Sequence, residues 1–428
     1  MPELKDTAEK AERAYLVGID EGHASDAENE SLLKELASLA KTLGIETVGT
    51  MQVRVREKNP ALFIGTGKAD EIAAAAKADE ADSIIFDHIM SPVQQRNWEK
   101  LSGLKAYDRA ELIIKIFASR ALTREASLQV ELAQLEYSLP RLAHSYDDLS
   151  RQRGGRYGTK GSGEQKIELD RREIEKRIHE IGEELKDVRK SRETQRKRRE
   201  RLAVPRAAVV GYTNAGKSSL LNALTQASVL VEDKLFATLD PTTRRIGLRK
   251  GGSLLLTDTV GFVRNLPHGL VEAFKATLEE AAGADLLVQV LDVSDPEAEV
   301  HLKTTDEVLT EIGAGGLPRI LVLNKVDLVD EPFKSALRER YPDGILVSVK
   351  TGEGIQDLLA AIEKGLGSLA GEMHLRIPDS DYGLVALLHR EAQILSEARE
   401  ECDNTATILT CRVPDRIASK FEKYKTAD

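Results

Sequence analysis

Gly211-Tyr212-Thr213-Asn214-Ala215-Gly216-Lys217-Ser218 is the stretch whose reading decides the fold of this chain. Two glycines separated by four residues and followed by Lys and Ser form a phosphate-cradling loop when a strand leads in and a helix leads out. Both flanks are present: the apolar run Ala207–Val210 precedes it and a helical pattern opens at Ser219–Leu224. The glycines let backbone N–H groups wrap an anion, and the helix N-terminus adds a favourable dipole. Lys217 is then placed to reach the β- and γ-phosphates, and the Ser218 hydroxyl to ligate Mg²⁺.

Working outward, Asn324-Lys325-Val326-Asp327 follows the apolar run Ile320–Leu323 and selects the base. Guanine presents N1–H and an exocyclic amine on one edge, which a single carboxylate at Asp327 can accept together. Adenine has no such pair, and an unmatched buried acceptor costs about 1–3 kcal/mol. Asn324 can brace the loop, and the Lys325 stem can cover the base. Ser348-Val349-Lys350 follows another strand pattern and can present N–H groups to the guanine O6. Asp258-Thr259-Val260-Gly261 closes the run Leu254–Thr257, with Asp258 as the carboxylate that holds Mg²⁺ directly or through water. The Gly261 amide can sense a γ-phosphate, so Gly261–Leu270 reads as a switch. The other switch is expected at Phe236-Ala237-Thr238-Leu239-Asp240, with the Thr238 hydroxyl as second Mg²⁺ ligand and Thr242 and Thr243 as competitors. Lys217, Thr238 and Gly261 are thus the candidate catalytic residues. Phe262 stands where a Ras-like GTPase carries the Gln that orients the attacking water, which Phe cannot do. Asn214 either braces the loop or helps hold a monovalent cation such as K⁺ beside the phosphates.

Around this domain, expected over residues 204–370, three further segments are read. Residues 1–120 alternate strand patterns (Ala14–Ile19, Val48–Val55, Ala61–Ile64, Ser83–Phe86) with helical ones (Glu28–Leu43, Lys68–Ala78, Pro92–Leu101), which argues for an α/β domain. Residues 121–203 change period. Leu128, Leu132, Leu135, Leu139 and Leu142 line one helical face, and Ile167, Ile174, Ile178, Ile181, Leu185 and Val188 follow a heptad-like seam. The Gly- and Arg-rich stretch Arg151–Gly163 between them predicts an antiparallel helical hairpin with a flexible basic tip, since each helical Gly costs about 1 kcal/mol relative to Ala. Residues 371–428 read as strand (Met373–Ile377), helix (Gly383–Ala398), strand (Ala406–Cys411) and helix (Pro414–Tyr424), a small α+β unit. The fold expected is therefore α/β and multidomain.

The formal net charge of −10 conceals an asymmetry. Between Arg151 and Arg206, 19 Lys and Arg stand against 11 Asp and Glu. A basic block in an acidic chain suggests a localised anionic partner, or simply a solvated helix face. No apolar stretch approaches the roughly 20 residues that span a bilayer, and the N-terminus lacks a signal-peptide pattern. Cys402 and Cys411, the only 2 cysteines, cannot build a disulfide framework or a zinc site. A cytoplasmic protein is expected.

The motifs in this order resemble the translation-factor-related P-loop GTPases, and more closely the HflX family over nearly the whole chain. The resemblance is carried by Phe63-Ile-Gly-Thr-Gly-Lys68, Gln94-Gln-Arg-Asn97, Thr123-Arg-Glu-Ala-Ser-Leu-Gln-Val-Glu-Leu-Ala-Gln-Leu135, Gly161-Ser-Gly-Glu-Gln165, Asp170-Arg-Arg172 and Asp258-Thr-Val-Gly-Phe-Val-Arg-Asn-Leu-Pro-His268, beside the phosphate loop. Ser162 departs from a usual Pro, and Asn265 from a usual Asp. The resemblance implies a cytosolic GTPase, monomeric off the ribosome, that binds the large ribosomal subunit and is stimulated by it in ribosome splitting or rescue. It implies ribosomal RNA contacts for the N-terminal region and the hairpin, matching Arg151, Arg153, Arg156, Tyr157 and Lys160 here and the run Arg189–Arg201. Arginines pair with phosphates or stack on unpaired bases, and Tyr157 adds a stacking surface. The alternative is a signalling switch that binds a protein, its basic hairpin only solvated.

Overall fold

The computed structural model describes residues 11–22, 25–145, 160–200, 204–225, 235–236, 238–248, 253–264, 278, 280–368, 370–399 and 406–426. The chain forms two compact units: residues 1–187 with 234–236 and 265–274, and residues 188–233 with 237–264 and 275–428.

In the first unit, β1 (Arg13–Asp20), β2 (Glu46–Arg54), β3 (Ser83–Phe86) and β4 (Lys105–Asp108) form a wholly parallel sheet in the order β2-β1-β3-β4. The inner strands are the continuously apolar ones, as burial on both faces requires. Crossovers are α1 (Asp26–Thr42), α2 (Thr66–Ala78) and α3 (Pro92–Ser102), with α4 (Arg109–Arg120) after β4. Capping boxes start two of them: Ser25 with Glu28, and Ser91 with Gln94. The strand expected at Ala61–Ile64 is instead a turn. The Asn59 side chain accepts the N–H groups of Ala61 and Leu62, and Phe63 has a left-handed φ of 68°. Leu62, Phe63 and Ile64 are buried all the same, because the turn packs into the core with Trp98, whose Nε1 donates to the Leu62 carbonyl.

Arg109 lies 2% exposed and pairs with Asp87 at 2.7 Å and with Glu35. Breaking such a buried ion pair from one side typically costs about 3–5 kcal/mol. Arg109→Ala is therefore expected to lower the urea midpoint of unfolding in a chemical denaturation series, whereas breaking the exposed pair Lys34–Glu30 should leave it nearly unchanged.

The hairpin consists of α5 (Arg124–Ser145) and α6 (Lys160–Glu200). Arg124 pairs with Glu184 and Glu131 with Arg177, so the register runs antiparallel. Leu128, Ile181 and Leu185 are buried between the helices, with Leu132 and Leu135 against them. One expectation is corrected: helix begins at Lys160, so Gly161 and Gly163 lie inside its first turn and not in a coil.

The second unit holds a six-stranded sheet in the order β10-β9-β8-β5-β7-β6. Its strands are β5 (Arg206–Gly211), β6 (Thr242–Gly247), β7 (Ser253–Asp258), β8 (Leu286–Asp292), β9 (Arg319–Asn324) and β10 (Ile345–Leu346). All neighbours pair in parallel except β6, which runs antiparallel to β7 along the edge. Helices α7 (Lys217–Thr225), α8 (Ala298–Glu311), α9 (Glu331–Arg340) and α10 (Ile355–Ser368) accompany it. The last part of the chain makes a three-stranded antiparallel sheet, β11 (Ala370–Pro378), β12 (Gln393–Arg399) and β13 (Ala406–Pro414), ordered β11-β13-β12. The helix expected over Gly383–Ala398 ends early: α11 covers Tyr382–Glu391, then the chain turns at Ala392 into β12. The helix expected over Pro414–Tyr424 reduces to α12 (Asp415–Ala418) and a 3₁₀ turn at Glu422–Tyr424. Apolar residues on β11, β13, α11 and α12 close a single small core here. Among the described residues no helix is long and apolar enough to cross a membrane.

Candidate functional site: a nucleotide cradle at the strand ends

The phosphate loop leaves the end of β5 and enters α7. Gly211, Asn214 and Gly216 take positive φ values of 148°, 60° and 95°. A Cβ on Gly211 would approach the Val290 carbonyl oxygen to 2.3 Å, and one on Gly216 would lie 2.3 Å from Asn324 Nδ2. Both glycines are therefore required by space as well as by torsion. Lys217 is buried at 7% exposure, and its Nζ donates to the Tyr212 carbonyl at 2.7 Å. Burial pushes its ammonium down to about 8, with the Asp258 charge pulling the other way. A buried lysine folded back on its own loop has its charge held at the place where phosphates would sit.

Asp258, at the end of β7, draws two hydroxyls together. Ser218 Oγ donates to its Oδ2 at 2.6 Å and Thr238 Oγ1 at 2.8 Å, and the hydroxyls themselves are 2.8 Å apart. Asp258 Oδ1 is buried with no hydrogen-bond partner. Burial pushes this carboxyl up, against the pull of Lys217 and the two hydroxyls. Three converging hard oxygens with one orphaned carboxylate oxygen fit the donor set of Mg²⁺. Of the three candidate threonines, Thr242 and Thr243 lie in β6, where the Thr243 hydroxyl bonds that of Thr257, and the Thr238 hydroxyl bonds Asp258. Leu239 is buried and Asp240 half-buried beside it, while Ala237 lies outside the described residues.

Asn324 ends β9, and its Nδ2 donates to the Ala215 carbonyl at 2.8 Å, tying the end of that strand to the phosphate loop. Lys325 takes a left-handed φ of 64° and its Nζ pairs with Asp292 at 2.6 Å. Val326 and Asp327 enter a 3₁₀ turn. Asp327 Oδ1 accepts the Ser348 hydroxyl at 2.7 Å, and Val349 N–H donates to Asn324 Oδ1 at 3.4 Å, bringing the two base motifs together. Lys350 is exposed beyond them. Sequence reasoning missed Gly354: with a φ of 74°, its Cβ would stand 1.9 Å from the Leu346 carbonyl oxygen, so this glycine shapes the loop after Ser348. The Gly352-Glu-Gly354 spacing was the available signal.

Gly261 abuts the cradle directly, since a Cβ there would come within 2.8 Å of Lys217 Nζ and of Thr213. Thr259 donates its hydroxyl to the Val209 carbonyl, and Val260 is buried. Phe262 is 1% exposed and forms a parallel bridge with Tyr212, so its ring is core and not a substitute for a water-orienting Gln. Of the proposed RNA contacts, Arg151, Arg153, Arg156 and Tyr157 lie outside the described residues, and Lys160 is the first residue of α6.

Three known families match successive stretches of the chain. A family described as "50S ribosome-binding GTPase" matches residues 206–325, "GTP-binding GTPase N-terminal" matches 30–118, and "GTP-binding GTPase Middle Region" matches 120–199. A curated protein of Akkermansia muciniphila named GTPase HflX is 47% identical, with 99% of each chain covered. One of the same name from Escherichia coli is 42% identical over 96% of this chain and 95% of its own. Among solved structures, the one titled "crystal structure of SsGBP and GDP complex" superposes with a TM-score of 0.50 at 25% identity, covering 82% of this chain and 98% of that one.

Proposed function

Because the chain belongs to the HflX family of GTPases, whose members at 42–47% identity span nearly its full length, we propose that it couples GTP hydrolysis to binding the large ribosomal subunit. The supporting observation is a phosphate loop joined to the Asn324–Asp327 motif in the same chain as a basic block, Arg151–Arg206, that stands out against an acidic remainder. In this reading Asp327 accepts the guanine edge, Lys217 and the loop N–H groups hold the phosphates, and Ser218 and Thr238 would hold Mg²⁺ beside Asp258. When bound, Mg²⁺ supplies charge neutralisation to the phosphate oxygens. The Gly261 amide meets the γ-phosphate, and the attacking water is delivered without a protein nucleophile. Hydrolysis alone is slow because Phe262 leaves the water unoriented, and the ribosome supplies the stimulation. The hairpin tip, through Arg151, Arg153, Arg156, Tyr157 and Lys160, contacts ribosomal RNA, in ribosome splitting or rescue in the cytoplasm.

The test is co-sedimentation with purified large subunits in GTP and in GDP, together with hydrolysis rates with and without subunits. GTP-dependent pelleting and stimulated hydrolysis are expected. Neutralising Arg151, Arg153 and Arg156 should weaken binding and flatten its salt dependence, by roughly 0.7 in the log–log slope for each lost phosphate contact. Unchanged, salt-independent binding of a protein partner would instead favour a signalling switch. Running the assay in potassium and in sodium tests whether Asn214, exposed at the loop turn, serves a monovalent cation.

A pH dependence follows from Lys217. In the nucleotide-free protein its ammonium titrates near 8, against 10.5 for an unperturbed lysine. Between those values the unfolded chain binds more protons, so nucleotide-free stability should rise with pH there. Nucleotide affinity moves the opposite way, because the phosphates need the charged form. Fluorescent GDP titrations from pH 7 to 9 should show affinity level at first, then falling above 8 toward about tenfold per pH unit.

A further inference from the structure

We propose that Tyr212 is a positioning residue for hydrolysis, latching the start of the second switch to the phosphate loop. Its hydroxyl accepts the buried backbone N–H of Arg264 at 2.8 Å, 52 residues along the chain. Its ring, 5% exposed, stacks on His301 with centroids 3.8 Å apart and planes 12° from parallel. His301 belongs to α8, and Arg264 is itself tied to Glu297, just before α8, at 2.6 Å. The backbone on either side of Tyr212 makes two more ties: Thr213 N–H donates to the Phe262 carbonyl at 2.8 Å, and Phe262 N–H donates to the Gly211 carbonyl at 3.1 Å. Residues 262–264 are thereby fixed to the loop, with Gly261 at the head of the clamp.

The carbonyl of the same tyrosine accepts Lys217 Nζ. Tyr212 thus touches the phosphate-holding lysine through its backbone and the switch through its side chain. A tyrosine is required for this pairing of tasks, because the ring spans from the loop to α8 while the hydroxyl supplies an acceptor to an N–H that water cannot reach. The function of the latch is to set the Gly261 amide where a γ-phosphate ends, which matters for GTP hydrolysis and not for holding GDP. The inference rests on the reading of Gly261 as the γ-phosphate contact.

The full-length chain is compared with Tyr212→Phe, which keeps the ring that stacks on His301 and loses the hydroxyl that accepts from Arg264. Single-turnover GTP hydrolysis without ribosomes and GDP affinity are both measured, with the thermal midpoint as a folding check. Hydrolysis should fall about tenfold while GDP affinity stays within about twofold, as expected for one lost buried acceptor acting on the transition state alone. Unchanged hydrolysis, or GDP affinity falling in parallel with it, overturns the proposal. His301→Ala gives an independent route should Tyr212→Phe not fold. It removes the ring that holds the tyrosine plane and should show the same split, and unchanged hydrolysis there likewise overturns it. Gly261→Ala separates the two readings. If it leaves hydrolysis intact, the γ-phosphate contact is wrong and the latch falls with it. If it stops hydrolysis while Tyr212→Phe and His301→Ala do not slow it, only the latch fails.

Discussion

Asp327→Ala is expected to weaken GTP and GDP binding by a factor on the order of 10² to 10⁴ and to abolish the preference over ATP. Two charge-assisted hydrogen bonds from guanine N1–H and its exocyclic amine would be lost, each contributing about 1.5–3 kcal/mol. At about 1.4 kcal/mol per tenfold, the low end of that pair already exceeds a hundredfold. ATP affinity should barely change, since adenine does not offer the paired donors. Ser348 already donates to one Asp327 oxygen at 2.7 Å, which holds the carboxylate in place for the base. The more specific variant is Asp327→Asn, which turns one acceptor into a donor. Xanthine carries a carbonyl where guanine carries the amine, so this variant should trade guanine for xanthine nucleotides with the fold intact. Competition titrations with GDP, XDP and ADP on one protein preparation would decide. Retained guanine preference after Asp327→Ala sinks the assignment of the base site.

Lys217→Ala is expected to reduce nucleotide affinity by about 10² or more and to bring hydrolysis below detection. The ammonium is buried, so its field at the phosphates is not screened as a surface lysine's would be. The same substitution removes the cation that pulls the Asp258 carboxyl down, leaving burial to push it further up. Asp258 should then be less able to share a divalent ion with Ser218 and Thr238. Both effects weaken triphosphate binding, and the second predicts that added Mg²⁺ rescues little. Isothermal titration with GDP in the presence and absence of Mg²⁺ measures them together. An affinity within threefold of the unsubstituted protein would mean that the phosphates lie elsewhere.

The nucleotide site was legible in the sequence because its parts are short contiguous loops at strand ends. Each carries its chemistry in residue types and spacing that are independent of the rest of the fold: Gly211 to Ser218, Asp258 to Gly261 and Asn324 to Asp327. The strands feeding them were legible for a related reason, since parallel strands buried on both faces are continuous apolar runs. Edge and peripheral elements carried weaker signals. In β6, four of the six residues are Thr or Arg, and the strand is exposed along its middle. In β12 the residues follow α11 with only Ala392 between, so an unbroken helical pattern was the natural reading. Ala61–Ile64 looked like a strand because it is apolar, but its burial comes from a turn that Asn59 closes and Phe63 permits.

From residue types and local spacing alone came the class of fold, the GTPase reading, the candidate phosphate lysine Lys217 and the Phe at position 262. Only the folded chain brought the Thr238 hydroxyl to Asp258, since that contact joins a hydroxyl to a carboxylate 20 residues away. Only the folded chain joined Asn324 to the phosphate loop across 109 residues, turned Phe262 into the core, and laid the Tyr212 hydroxyl against Arg264. Such contacts are set by how strands order in the sheet and how loops lie over their ends. A linear chain encodes that arrangement in the sum of its packing and not in any one motif.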